Sequence, residues 1–328
     1  MNCKLSFNRF QRVVLNGSSS TWLPVQSGIP QGSILGPLLF LLYINDLYQT
    51  SLSVGSKLLL YADDVLLYKP IYHSSDVNAF QEDINCVNAW IRITICQSTP
   101  PKQNSWWFLG GLQTLLPPPL LYIKDNPIDK VSHYKYLGIW ILEDLSWSKH
   151  IDTVCCKARR LLGFIHRTFS PYCSPEIIVT LYKSQVVPVL DYIWLYHTGP
   201  TSEKDILLIE SVQTFALRTA THSWQENALT LNSHFHLSTL ANRCSHFKLL
   251  YTYKLLNGYL YCPSRLFVPH PSPTRHFHSK HLIQQFARTC AFYNSFVISS
   301  VKLWNKLPSE VVLADCVSSF KNIRTLYL

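Results

Sequence analysis

Leu58-Leu59-Leu60-Tyr61-Ala62-Asp63-Asp64-Val65-Leu66-Leu67-Tyr68 sets two short apolar runs on either side of a carboxylate doublet. The spacing predicts a buried β-hairpin with two acids at its tip. Desolvating two carboxylates among apolar residues is costly unless cations compensate. A divalent metal site is one physical solution, since metal ions that clamp phosphoryl oxygens are held by such acids. A plain Asp-Asp turn is the other. The doublet alone does not separate the two.

The next stretch outward is upstream, Ser27-Gly28-Ile29-Pro30-Gln31-Gly32-Ser33-Ile34-Leu35-Gly36-Pro37. Its glycines and prolines force an irregular turn, and Gly32 permits close approach of a ligand to the backbone. An apolar run from Leu38 to Ile44 follows and ends at Asn45-Asp46-Leu47. It reads as a helix with Ser33 as its cap and Pro37 in its first turn. Taken together, the Pro-Gln-Gly-Ser turn, the helix and the Tyr-x-Asp-Asp hairpin resemble the reverse transcriptases of non-LTR (LINE-type) retrotransposons, in the same order and at about the same spacing.

The resemblance covers nearly the whole chain apart from 93–119. It implies an α+β fold: a partial polymerase palm with an antiparallel sheet and packed helices, then a helical thumb. The division it suggests is 1–145 for the palm, with 93–119 degenerate, 146–262 for the thumb and 263–328 for a C-terminal extension. It implies RNA-directed DNA polymerisation, in which a primer 3′-hydroxyl attacks the α-phosphate of a dNTP with two Mg²⁺ ions as cofactors. Asp63 and Asp64 are then the catalytic metal ligands, Asp64 the weaker or indirect one. Pro30, Gln31, Gly32 and Tyr61 face template, nucleotide and primer end, and Leu137 and Gly138 form the primer grip. The implied partners are an RNA template, a DNA primer, dNTP and, where it is encoded upstream, the missing N-terminal half. No membrane partner is implied.

Residues 10–18 read as a strand entering a tight turn at Asn16-Gly17. No Asp or Glu occurs before Asp46. The family's other metal-binding aspartate lies upstream of this segment, so the expectation is a truncated chain that is inactive as given. The alternative is a nucleic-acid-binding remnant without catalysis. Intron-encoded maturases share the palm motifs, but their further domains are not apparent.

Val77, Phe80, Ile84, Val87 and Ile91 keep helical spacing over 76–92 and predict a packing helix. Residues 93–119 keep no period; Lys102 there could be the remnant of the family's proton-donating lysine. Tyr134 to Trp140 alternates as an aromatic strand, and its Gly138 suggests a close backbone approach. A helix from about His150 to Arg167 has one apolar face, with Lys149, Arg160 and Arg167 opposite. On a thumb that basic side would meet the nucleic-acid backbone; a solvated basic face is the alternative. Further helices are predicted over 176–198, broken or kinked at Pro188, over 204–221, and over 240–256 with Gly258 at the end.

Composition fits this reading. Apolar residues make up 47% and charged residues 15%, and the formal charge is +10 with 13 histidines besides. That suits a polyanionic partner and excludes a disordered chain. Ten cysteines without a Cys-x-x-Cys read as free thiols. No apolar signal core opens the sequence, so the expected location is intracellular, nuclear or cytoplasmic. His276, His278 and His281 lie near Cys262 and Cys290, but their spacing fits no standard zinc finger. Leu303-Trp304-Asn305-Lys306-Leu307-Pro308 suggests an aromatic anchor near the end.

Overall fold

The computed structural model describes residues 9–25, 28, 32–94, 106–107, 120–123, 126–196, 203–263, 266–271 and 278–324. The chain forms two compact units, Met1–Val131 and Ser132–Leu328. The fold class is α+β, with helices and small, mostly antiparallel sheets. Among the described residues the strands make six separate two-stranded ladders rather than one shared sheet.

In the first unit, β1 (Phe10–Gln11), β2 (Val14–Leu15), β3 (Ser18–Ser19) and β4 (Leu23–Pro24) nest as two short antiparallel ladders. Asn16 and Gly17 turn between β2 and β3 with φ 48° and 82°. Both are left-handed, as a two-residue hairpin turn of this kind requires. Helix α1 (Leu35–Ile44) has Pro37 in its first turn, as expected. Its N-cap is Ile34, without a side-chain cap, and Ser33 contributes only its carbonyl, to the Gly36 N–H. The expected Ser33 cap is therefore corrected. A 3₁₀ turn, Asn45–Gln49, then drops Leu47 into the core.

Strands β5 (Lys57–Tyr61) and β6 (Asp64–Tyr68) form the expected hairpin. Helix α2 (Ser74–Thr94) covers one of its faces through Val87, Trp90 and Ile91, which pack with Leu47, Leu58, Leu60 and Leu67. The Asp76 carboxylate starts this helix by accepting from the Tyr72 and His73 N–H groups. Asp83, 2% exposed, locks α2 to the loop ahead of β5. It accepts from the Ser53 N–H at 2.7 Å, from the Ser53 hydroxyl at 2.6 Å and from the Ser56 hydroxyl. Lys69 donates to the same Ser53 hydroxyl at 2.7 Å. Burial raises the Asp83 pKa, but these donors outweigh it and hold the carboxyl below its ordinary value. Strands β7 (Trp106–Trp107), β8 (Tyr122–Ile123), β9 (Asn126–Pro127) and β10 (Asp129–Lys130) complete the unit, with β7 and β10 parallel. Lys102 and most of 93–119 lie outside the described residues.

The second unit opens with a hairpin, β11 (His133–Tyr136) and β12 (Ile139–Leu142). Helix α3 (Ser148–Phe169) buries Ile151, Val154, Cys155, Ala158, Leu162 and Ile165, the expected face. The predicted 176–198 helix is α4 (Pro175–Leu181), a π turn (Tyr182–Val186) and α5 (Val187–Tyr196). The Val187 N–H bonds the Tyr182 carbonyl, five residues back. That widened turn accommodates Pro188, whose nitrogen has no hydrogen to give the preceding turn. It also shifts the inward face: Ile178, Val179, Val186 and Leu190 are buried, while Ile177 is exposed.

Helices α6 (Glu203–Thr221), α7 (Ala228–His234) and α8 (Leu240–Leu256) close this core. Asn227 and Thr239 cap α7 and α8 through their side chains. Gly258, at φ 75°, ends α8 as anticipated. A second core gathers α8, α10 (Phe296–Trp304), α11 (Ser309–Val312) and α12 (Val317–Arg324), after a short α9 (Cys290–Tyr293). Trp304, 0% exposed, donates from its indole N–H to the Lys280 carbonyl at 2.9 Å. Asn305 bonds both backbone groups of Leu282, at 2.8 and 3.0 Å. The Trp-Asn pair thus clamps the segment around Leu282, which itself bridges to Pro269. That is the physical content of the C-terminal motif.

Candidate functional site

Ala62 and Asp63 form the two-residue turn of the β5–β6 hairpin, and Asp64 opens β6 opposite Tyr61. Ala62 takes φ 51°, a left-handed conformation that non-glycine residues enter only where the surrounding ladder imposes it. The turn carries Asp63 and Asp64 side by side at the tip. Both are exposed, as are Tyr61 and Val65. The expected burial is therefore corrected. The hairpin has two strands, and only the face carrying Leu58 and Leu60 meets α2 and the Leu47 turn. Leu59, on the other face, stays exposed, and so does Val65, which pairs with Leu60 next to the tip. The acids therefore do not need a metal to offset desolvation. An adjacent all-oxygen pair that faces solvent still has the chemistry that suits Mg²⁺.

Gly32 adopts φ 80°, and among the described residues nothing lies within 4 Å of where a Cβ would stand. It therefore leaves an open approach to its backbone, at the start of the segment that leads into α1. Pro30 and Gln31 lie outside the described residues, as does any test of whether Gln31 and Asp63 share one surface.

Leu137 and Gly138 have φ 47° and 84° and form the turn between β11 and β12. The aromatic stretch Tyr134 to Trp140, whose resemblance is to a primer-grip hairpin, folds back at these two residues. The close approach read from Gly138 is real. Tyr192 of α5 donates its hydroxyl to the Leu137 carbonyl at 2.6 Å, and a Cβ on Gly138 would meet that hydroxyl at 3.0 Å. Next to Tyr192, Asp191 forms an ion pair with Arg243 of α8. The Trp140 backbone N–H donates to Nδ1 of His150, which is buried at the start of α3. Burial, with Lys135 nearby, holds the His150 pKa below its ordinary value.

Of the three cations read on the outer side of α3, Arg160 and Arg167 are exposed. Lys149 is half-buried, with its ammonium 4.4 Å from the centre of the Trp140 ring. A cation held over an indole is less available to a phosphate than a solvated one. Among the described residues no three His, Cys, Asp or Glu side chains are grouped to hold a metal ion. His278 is instead buried against Trp304, bonded to its carbonyl at 3.2 Å. Cys86, Cys155, Cys156, Cys173, Cys244, Cys262 and Cys316 are free thiols. Burial pushes the Cys155 thiol up to about 12 and the Cys244 thiol to about 11, so neither is a ready nucleophile.

Residues 2–141 match the reverse transcriptase (RNA-dependent DNA polymerase) family. The chain is 28% identical over 237 residues to the probable RNA-directed DNA polymerase from transposon X-element of Drosophila melanogaster, covering 70% of this chain and 25% of that protein. It is 26% identical over 263 residues to the corresponding protein from transposon BS of the same organism, covering 75% and 28%. Against the RNA-directed DNA polymerase from mobile element jockey of Drosophila funebris it is 26% identical over 188 residues, 55% of this chain and 20% of that protein. Residues 2–141 thus resemble a reverse transcriptase domain, and the chain is similar over most of its length to the RNA-directed DNA polymerases of mobile elements. It spans about a quarter of the length of these relatives. The span matched to the reverse transcriptase family contains the Gly32 turn, the Asp63–Asp64 tip and the Leu137-Gly138 turn. Helices α3 to α12 lie beyond it. Sequence reasoning missed Tyr192, Asp191 and Asp83 as organising residues. Their signal was weak, because a tyrosine or an acid inside a helical pattern does not show what it reaches.

Proposed function

We propose that this chain supplies part of the site for RNA-directed DNA polymerisation, with Asp63 and Asp64 as metal-binding carboxylates. The observation that carries this is the two-residue turn that sets both acids, side by side and exposed, at the tip of β5–β6. Mg²⁺ bound there would supply charge neutralisation for phosphoryl oxygens. In this reading residues 1–145 are the partial palm. Pro30, Gln31, Gly32 and Tyr61 contact nucleotide, template and primer end, and Leu137 and Gly138 the primer strand. The thumb is residues 146–262, where Arg160 and Arg167 meet phosphates of a template–primer duplex. RNA template, DNA primer and dNTP are the corresponding partners.

A second reading, nucleic-acid binding without catalysis, applies to these 328 residues taken by themselves. It is favoured by the lack, among the described residues, of any three-ligand group that includes Asp63 and Asp64. Losing a principal ligand of a metal pair removes positioning and charge neutralisation together. Purified chain with Mg²⁺ or Mn²⁺, a primed RNA template and dNTPs is therefore expected to show no extension above a D63A/D64A control. Extension that disappears in the double variant would establish catalysis by this chain and overturn the second reading.

A further inference from the structure

Helices α3 and α6 lie side by side and run in the same direction. Ser148 meets Asp205 at 3.3 Å, Arg159 meets Ser211 at 2.9 Å, and Ser170 meets His222 at 3.4 Å. Partner numbers rise together along both helices, so the furrow between them is traced rung by rung. One helical turn beyond the Arg159–Ser211 rung, Gly163 and Phe215 occupy the same level. Gly163 keeps its side of the furrow low, and a Cβ there would stand 3.3 Å from the Arg167 guanidinium, which lies over it. Phe215 is 39% exposed.

Beyond α6 the chain turns at His222, with φ 55°, and brings Trp224 back beside Phe215, ring centres 6.0 Å apart. Arg218, one turn after Phe215, holds that loop by donating to the Glu226 carbonyl at 3.1 Å. Trp224 is 55% exposed. Two aromatic rings that touch each other and still face solvent do not act as a buried core pair. Beside them stand the exposed guanidinium groups of Arg159 and Arg167. The acids along the two helices and their loop are Asp152, two turns before Arg159; Glu203 and Asp205 at the start of α6, the latter accepting from Ser148; Glu210, beside Ser211 but accepting from the Ala241 N–H of α8; and Glu226, whose carbonyl holds Arg218.

We propose that this furrow binds a single strand of nucleic acid, with bases stacked on Phe215 and Trp224 and phosphates paired with Arg159 and Arg167. Flat apolar rings flanked by guanidinium groups match a flexible polyanion with exposed base faces. A paired duplex offers its phosphates but keeps its base faces stacked inside. The inference rests on the nucleic-acid reading above but assigns a single strand to the α6 side of α3, next to the side that carries Arg160, with Arg167 serving both.

The test uses the full chain and compares binding of a single-stranded oligothymidylate of about 12 nucleotides, within the site sizes usual for such surfaces, with binding of a blunt RNA–DNA duplex. Phe215→Ala and Trp224→Ala are each expected to weaken the single strand on the order of tenfold and to leave duplex affinity within about twofold. Trp224→Phe should keep the affinity yet lose part of the indole quenching that the single strand produces. Arg159→Gln should reduce the single-strand salt slope by about 0.7 without changing the duplex slope. The inference is overturned if Trp224→Ala binds the single strand like the wild type, or if it loses single strand and duplex in equal measure. A wild-type chain that binds duplex alone would sink this inference and leave the proposed function standing. A chain that binds neither would sink both.

Discussion

The two units differ in how they bury what they carry. In Met1–Val131 the buried apolar centre of the β5–β6 and α2 region is Leu47, Leu58 and Val87, and Leu35, Leu38, Leu41 and Leu42 of α1 remain exposed. In Ser132–Leu328 two extensive cores hold the helices, and polar side chains serve as clamps: Tyr192 on Leu137, Asp191 on Arg243, Asn305 on Leu282. The carboxylate tip thus stands on the thinly packed unit, and the basic helix on the firmly packed one. The chemistry-bearing residues depend on local turns such as Ala62 and on one buried acid, Asp83. The proposed nucleic-acid surface on α3 depends on packing.

That contrast can be broken by substitutions of matched kind. The largest effect is expected at Gly138, where alanine meets both a left-handed backbone and the Tyr192 hydroxyl. Gly138→Ala should cost about 3 kcal/mol of stability in the second unit, read from the denaturant midpoint. Adding Tyr192→Phe should recover part of that loss, because the crowding atom is removed, and strict additivity would contradict the clamp. In the first unit, Asp83→Asn should cost about 2 kcal/mol, since an amide cannot accept all the bonds that Ser53 and Ser56 give. The Asp83 contribution is present above its ordinary value of 3.8 and is lost as pH falls through the lower folded value. Hydrogen exchange in α2 should report this loss, and unchanged protection in Asp83→Asn would remove the lock from the account.

A pH titration sharpens the comparison from the other side. His150 and His278 are both held below their ordinary value of 6.5 by burial. The unfolded chain therefore binds more protons, so the second unit keeps full stability above about pH 6.5 and loses it as pH falls through the lower folded values. A melting temperature that rises on acidification from pH 7 to 6 would contradict this. The smallest effect is expected at Gly32. Alanine there meets a left-handed backbone but no neighbour among the described residues, so Gly32→Ala should cost only about 1 kcal/mol.

Much of this architecture was legible in the residues. Apolar periodicity located α2, α3, α6 and α8, and glycine marked the end of α8. The carboxylate doublet between apolar runs located the hairpin. What failed has a common cause: a pattern along the chain shows which face is apolar, not what stands opposite it. Leu59 and Val65 are as apolar as Leu58, yet only Leu58 found a partner in Leu47 and Val87. Gly138 signalled a close approach, and the resemblance to a primer-grip hairpin anticipated the fold-back, but the left-handed Leu137 that makes its turn has no sequence mark. Pro188 signalled a break, and the π turn absorbed it. The Trp304-Asn305 motif became readable only once Lys280 and Leu282 stood beside it.

The central claim is that the packed unit holds nucleic acid through the outer side of α3 while the acidic tip plays no part in that hold. The direct measurement is the salt dependence of RNA–DNA duplex binding, without divalent metal, for the wild-type chain, Arg160→Ala and D63A/D64A. The account predicts a slope shallower by about one in Arg160→Ala, weakened regardless of sequence, and an unchanged slope in the double variant. An Arg160→Ala slope equal to the wild type would return this helix to a merely solvated basic face and contradict the claim.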